Sequence, residues 1–168
     1  MAEAGILQRD ERVELIRGEV LTMSPIGVPH AGILKQLIAH FSKLGTEVVL
    51  SVQDPLRLDD QNEPEPDLVL LKPPVKQYQS RHPGPGDALL VIEIADTSWD
   101  YDWNVKRVLY AEHAVHELWV IDAVAKAIHI CREPKGREYR LETVARDQHQ
   151  LAPVAFPKHT AMVRELIG

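Results

Sequence analysis

Cysteine is almost missing: Cys131 is the 1 cysteine in 168 residues. A lone thiol forms no internal disulfide, which excludes a stapled secreted scaffold and a cysteine-rich zinc site and favours a reducing cytoplasm. Cys131 itself reads as a small packed side chain. No apolar run approaches membrane-spanning length, and Glu3, Asp10, Glu11 and Glu14 break up the basic-then-apolar order of a signal peptide. The expectation is a cytoplasmic protein with no membrane partner. Positive charge is in deficit, with 19 Lys and Arg against 25 Asp and Glu and a net charge of −6. That sign counts against non-specific nucleic-acid binding, although a local basic surface can still face a phosphate. The best such stretch is 126–146, with Lys126, Arg132, Lys135, Arg137, Arg140 and Arg146, and it also reads as a solvated hairpin. There is no Gly-rich phosphate loop, no Gly-x-Ser-x-Gly elbow and no His-Glu-x-x-His helix, so those hydrolase chemistries lack their central residues.

What is present is a soluble globular composition, 45% hydrophobic and 26% charged, of a length that suits one domain over 1–168. Its most informative stretch is 64–110. Asp67 opens the apolar run Leu68-Val69-Leu70-Leu71, and Glu93 interrupts Ala88-Leu89-Leu90-Val91-Ile92-Glu93-Ile94-Ala95. Short continuous apolar runs read as strands buried on both faces. A carboxylate in such a strand is costly unless something pairs with it, and a divalent cation suits two converging carboxylates.

In chain order, Val13-Glu14-Leu15-Ile16 and Glu19-Val20-Leu21-Thr22-Met23 predict a hairpin turning at Arg17-Gly18. After a breaker-rich loop over 24–29, Ile33, Leu34, Leu37, Ile38 and Phe41 have the spacing of one buried helix face, closed by Gly45. His30 lies at the helix start on the inward side, where it suits either a site or a packed core edge. Residues 47–58 predict a long strand bent at Pro55, with Gln53 and Asp54 at the bend. The Pro- and Gly-punctuated connection over 72–87 has the length of a lid or binding segment. In the 88–95 strand, Leu89, Val91, Glu93 and Ala95 share a face.

A helix follows, with Val105, Val108 and Leu109 as its buried stripe and Asp102, Lys106 and Tyr110 on another face. Lys106 reads equally as a surface ion pair with Asp102 or as a functional residue near the acids. Strands at 117–122, 127–132 and 139–144 complete a meander, and 156–167 closes the chain as a short strand or helix. His113 and His116 read as surface residues. Trp99, Trp103 and Trp119 could supply a homodimer interface or pack inside.

Glu63-Pro64-Glu65-Pro66-Asp67-Leu68-Val69-Leu70-Leu71, Val91-Ile92-Glu93-Ile94-Ala95-Asp96-Thr97-Ser98, Tyr101-Asp102 with Lys106 and Tyr110, and His116-Glu117-Leu118-Trp119-Val120-Ile121-Asp122 resemble the putative restriction endonuclease family. This is a bacterial branch of the PD-(D/E)XK nuclease superfamily. The resemblance extends outward from Glu14-Leu15-Ile16-Arg17-Gly18-Glu19 through His30 to Phe156-Pro157, nearly the whole chain.

It implies an α/β, restriction-endonuclease-like core: a central mixed sheet flanked by helices, with an N-terminal hairpin and a C-terminal meander. It also implies DNA as substrate and Mg²⁺, or Mn²⁺, at Asp67 and Glu93. Ala95 stands where the superfamily has its lysine, and Lys106 is the replacement the sequence offers. His30 is an acid–base candidate, Gln53 a metal ligand or orienting group, and Glu19 a weaker candidate on the hairpin. The alternative is a catalytically inactive binding or regulatory module on the same fold, favoured by the acidic net charge and by Ala95.

Overall fold

A computed structural model describes residues 12–168. The acidic residues Glu3, Asp10 and Glu11 lie outside them. The fold is α/β, built on a six-stranded mixed sheet. Its strands are β3 (Val49–Val52), β4 (Leu68–Leu71), β5 (Ala88–Ala95), β6 (Glu117–Asp122), β7 (Ala127–Lys135) and β8 (Glu138–Arg146), in that spatial order. Only β5 and β6 run parallel. Their crossover carries a helical segment, as parallel neighbours require. The hairpin of β1 (Val13–Ile16) and β2 (Glu19–Thr22) stands apart from this sheet, with Arg17 and Gly18 both at positive φ in its turn.

The sheet is covered on both faces, which explains its continuous apolar runs. On one face, α1 (Val28–Phe41) lays Ile33, Leu34, Leu37 and Phe41 against Leu68, Leu70, Leu90, Ile92 and Ile94. Each of the four helix side chains contributes about 1.5–3 kcal/mol by burial, which matters because no side-chain cap supports this helix. The closing α4 (Val163–Ile167) joins the same face, following β10 (Ala161–Met162), which pairs with β9 (Gln150–Leu151). On the opposite face, Val69, Leu71, Val91, Leu118 and Val120 pack with Ile16, Leu109 and Tyr110.

Some expectations are corrected and others made specific. The strand expected over 47–58 stops at Val52, because Gln53 turns to φ 54; beyond it Leu56 and Leu58 enter the core without strand pairing. Leu89 leaves the Glu93 face, because the β4–β5 register shifts between Leu70 and Leu71, and packs on the α1 side. The 72–87 connection contains two 3-10 turns pinned by Arg81 on Asp87 at 2.6 Å and by Tyr78 donating to the Lys72 carbonyl at 2.7 Å. The helix after β5 is broken into α2 (Trp99–Tyr101), a π turn (Asp102–Lys106) and α3 (Arg107–Glu112). Trp119 is a core residue, 1% exposed, whereas Trp99 and Trp103 stack half-buried beside His129. His116 is exposed, and His113 pairs with Asp59 at 2.8 Å near the surface. Among the described residues no helix is long and apolar enough to cross a membrane.

Candidate active site

Strand alternation decides where the first two acids point. Glu93 shares its side of β5 with Val91 and Ala95, facing the hairpin and the α2–α3 segment. Asp67 immediately precedes β4, whose ladder with β5 ends at the pair Leu68–Ile92. The Asp67 carboxylate extends that ladder: its Oδ2 accepts the Ile94 N–H at 2.8 Å. Both acids therefore line one cavity of about 450 Å³, where the sheet end meets the hairpin and the start of α1.

Lys106 reaches the same place because of the π turn. The Arg107 N–H donates to the Asp102 carbonyl, one residue farther than in an α-helix. Asp102, Lys106 and Tyr110 are all buried there, so the face that spacing leaves as a surface ion pair is the inward one. Nor is Asp102 the partner. The Lys106 ammonium lies 2.6 Å from Glu14 Oε1 and 3.1 Å from Glu93 Oε1, with all three side chains 3% exposed. Tyr110 donates its hydroxyl to Glu93 Oε1 at 2.6 Å. Glu14 is held further by the Glu65 N–H at 3.0 Å and by the Tyr101 hydroxyl at 3.3 Å. Asp102 accepts from Ser98 at 2.5 Å.

His30 and Gln53 converge on Asp67. His30 Nε2 lies 2.9 Å from Asp67 Oδ1, and Gln53 Nε2 donates to the same oxygen at 3.3 Å. His30 Nδ1 is buried with no hydrogen bond. An ionised carboxylate only accepts, so Gln53 turns its amide nitrogen, not its oxygen, toward the site. Glu19 is exposed and does not reach the cavity. The hairpin glutamate that does is Glu14, which sequence reasoning missed although it carries the same signal as Glu93, an acid inside an apolar strand.

Burial pushes the Glu93 carboxyl well above the usual range, and the Lys106 charge offsets this only in part. Burial raises Asp102 in the same way. For Asp67 burial is again the largest influence and acts upward, but His30 and the Ile94 N–H outweigh it and leave its pKa lowered. Burial acts to lower the pKa of Lys106, yet Glu93, Glu14 and Asp102 together hold it above the ordinary lysine value, so it stays charged.

Counted around the cavity, the carboxylates of Glu14, Asp67, Glu93, Asp96 and Asp102 face Arg12 and Lys106. The wall is short of positive charge. Glu93 Oε2 has no hydrogen-bond partner among the described residues, and every nearby donor oxygen is hard. This suits a small divalent cation that keeps several waters and takes one or two carboxylates, which Asp67 and Glu93 could supply. A closed cage is not formed: among the described residues no three His, Cys, Asp or Glu side chains group as a metal site.

Residues 2–163 match the family described as "Uma2: Putative restriction endonuclease". The chain belongs to the Uma2 family. That membership points to a divalent metal in general, without naming the ion. A crystal structure of a putative nuclease belonging to DUF820 from Anabaena variabilis ATCC 29413 is similar to this Uma2 chain, with a TM-score of 0.74 and 13% identity, over 98% of this chain and 94% of that one. At that identity the likeness establishes the nuclease-type fold. No curated protein matches.

Proposed function

We propose that this chain is a Mg²⁺-dependent endonuclease, with Mn²⁺ as an alternative ion, that hydrolyses DNA phosphodiester bonds in the Asp67–Glu93 cavity. The observation that carries the proposal is the buried ammonium of Lys106, held by Glu14 and Glu93 beside the two acids. It stands in for the side chain that Ala95 lacks.

Asp67 and Glu93 would hold the ion, whose chemistry there would be to lower the pKa of a bound water and to offset negative charge on the phosphodiester. Lys106 spends two donors on Glu14 and Glu93 and keeps one N–H for the attacking water or the developing negative charge. Tyr110 and Glu14 fix the positions of Glu93 and Lys106. His30 orients Asp67 through Nε2, and Nδ1, which has no hydrogen bond, is the nitrogen left to act as acid or base. Gln53 acts on Asp67 from the other side. The proposal takes 1–168 as a single domain, and the lone Cys131 suits a reducing cytoplasm. A homodimer would use the half-buried Trp99–Trp103 face.

The test is cleavage of supercoiled plasmid and a short duplex with Mg²⁺ or Mn²⁺. Asp67→Ala, Glu93→Ala and Lys106→Ala should each lose at least about 100-fold. Wild-type protein that binds the ion and DNA without cutting would leave the second reading, an inactive binding module. That reading is favoured by the net charge of −6.

A further inference from the structure

Arg12 stands at the cavity's outer edge. Arg12, Glu14 and Ile16 alternate along one side of the chain entering β1, so they share a face. Ile16 is core, Glu14 carries Lys106, and Arg12 lines the same cavity as Asp67 and Glu93. Two residues of strand span about 6.6–6.8 Å, which sets Arg12 one step outward from the buried ion pair. Its backbone is fixed, since its carbonyl accepts the Met23 N–H at 2.9 Å.

One nitrogen of its guanidinium is not satisfied. Nη2 is buried without a hydrogen bond, and its carboxylate neighbour, Glu65 Oε2, lies 3.6 Å away. That is beyond hydrogen-bond range. By contrast Arg17, Arg57, Arg81, Arg107 and Arg132 reach their carboxylates at 2.6–2.8 Å. A guanidinium is always charged and presents five donors in a planar fork that matches phosphate oxygens. In a wall otherwise rich in carboxylates, a fork that is 32% exposed and only loosely paired is a receptor for an anion entering from the mouth.

We propose that Arg12 binds the non-bridging oxygens of the substrate phosphodiester at the cavity mouth, displacing its loose contact with Glu65. The proposal rests on the nuclease reading. Arg12 is thus a substrate-binding residue that the family resemblance does not assign.

The experiment uses the full chain with Arg12→Ala, Arg12→Lys and Glu65→Gln. Binding of a labelled duplex is followed by fluorescence anisotropy in EDTA over a salt series, cleavage by steady-state kinetics with Mg²⁺, and folding by thermal melts. Arg12→Ala should raise Kd and KM about tenfold, leave kcat within about twofold, and reduce the slope of log K against log salt by about 1. Arg12→Lys should keep the slope but recover only part of the affinity, because it retains charge without the fork. Glu65→Gln should bind as tightly as wild type or more so. If Arg12→Ala leaves Kd, KM and slope unchanged while the wild type cuts DNA, this proposal alone fails. It also fails if Glu65→Gln weakens binding and melting as much as Arg12→Ala does, which would make the pair structural. Wild-type protein that neither binds nor cuts the duplex overturns the nuclease reading and this proposal together.

Discussion

Two glutamates are buried in adjacent parallel strands, and they are built differently. Glu117 at the start of β6 is 1% exposed and saturated: Arg132 donates to Oε1 at 2.9 and 2.7 Å, Trp119 Nε1 at 3.0 Å, and the Val154 N–H to Oε2 at 2.7 Å. Glu93 in β5 is 2% exposed, yet its donors crowd on Oε1 and its Oε2 has none among the described residues. Glu117 also lies apart from the cavity that Glu93 lines. Burial of a carboxylate therefore does not mark a site. What separates the two is unused acceptor capacity facing a cavity with excess negative charge.

The largest effect that could break this comparison is on catalysis. Glu93→Gln should reduce DNA cleavage at least about 100-fold, while Glu117→Gln should leave the specific activity of folded protein near wild type, measured on melt-verified samples. Equal losses would dissolve the distinction.

Stability should reverse the order. Glu117→Ala strands Arg132 and removes a hub, costing about 3 kcal/mol, or roughly 6–12 °C in Tm for a chain of this size. Glu93→Gln relieves one of several crowded negative charges, so its Tm should equal or exceed wild type.

A smaller effect sharpens the contrast. Mg²⁺ at ten times its Kd should stabilise wild type by about 1.4 kcal/mol. Calorimetric melts should show that shift retained in Glu117→Gln and lost in Glu93→Gln and Asp67→Asn.

The smallest effect belongs to neither glutamate and gives an acid-side baseline. His40, half-buried beside His159 and Lys43, has its pKa lowered to about 4, first by burial and then by those neighbours. Its folded pKa lies below its ordinary 6.5, so its contribution is complete above about pH 6.5 and is lost as pH falls through 4. Partial exposure screens the effect to below about 1 kcal/mol. Chemical denaturation between pH 7 and 4 should show a shallower decline in His40→Gln.

How much of this was legible in the sequence follows from where each signal is stored. Asp67 and Glu93 were legible because an acid in an apolar run conflicts with its surroundings, and the hairpin and β4 to β8 because their periodicities are local. Glu14 and Glu117 carried the same conflict but sat in shorter or more mixed runs, where an acid passes for the outward member of an alternating strand. Lys106 was legible as a neighbour of the acids. Its burial was not, since Glu14 is 92 positions away and only the hairpin's docking brings it there. Gln53's left-handed turn, which ends β3, and the extra residue at Leu89 are backbone choices settled by packing across the sheet.

The wide turn at Asp102–Lys106 sets a phase. Closing it into ordinary helix at the same length would turn everything before it by about 100° relative to everything after it. Tyr101 and Asp102 would then part company with Lys106 and Tyr110, and the ammonium would lose the alignment that brings it to both glutamates. Removing one residue from within the turn at the same time would restore the phase, because the Arg107 N–H would reach the Asp102 carbonyl by an ordinary four-residue bond. The two halves of the site are thus kept in step by one extra residue, which only the wider turn can accommodate.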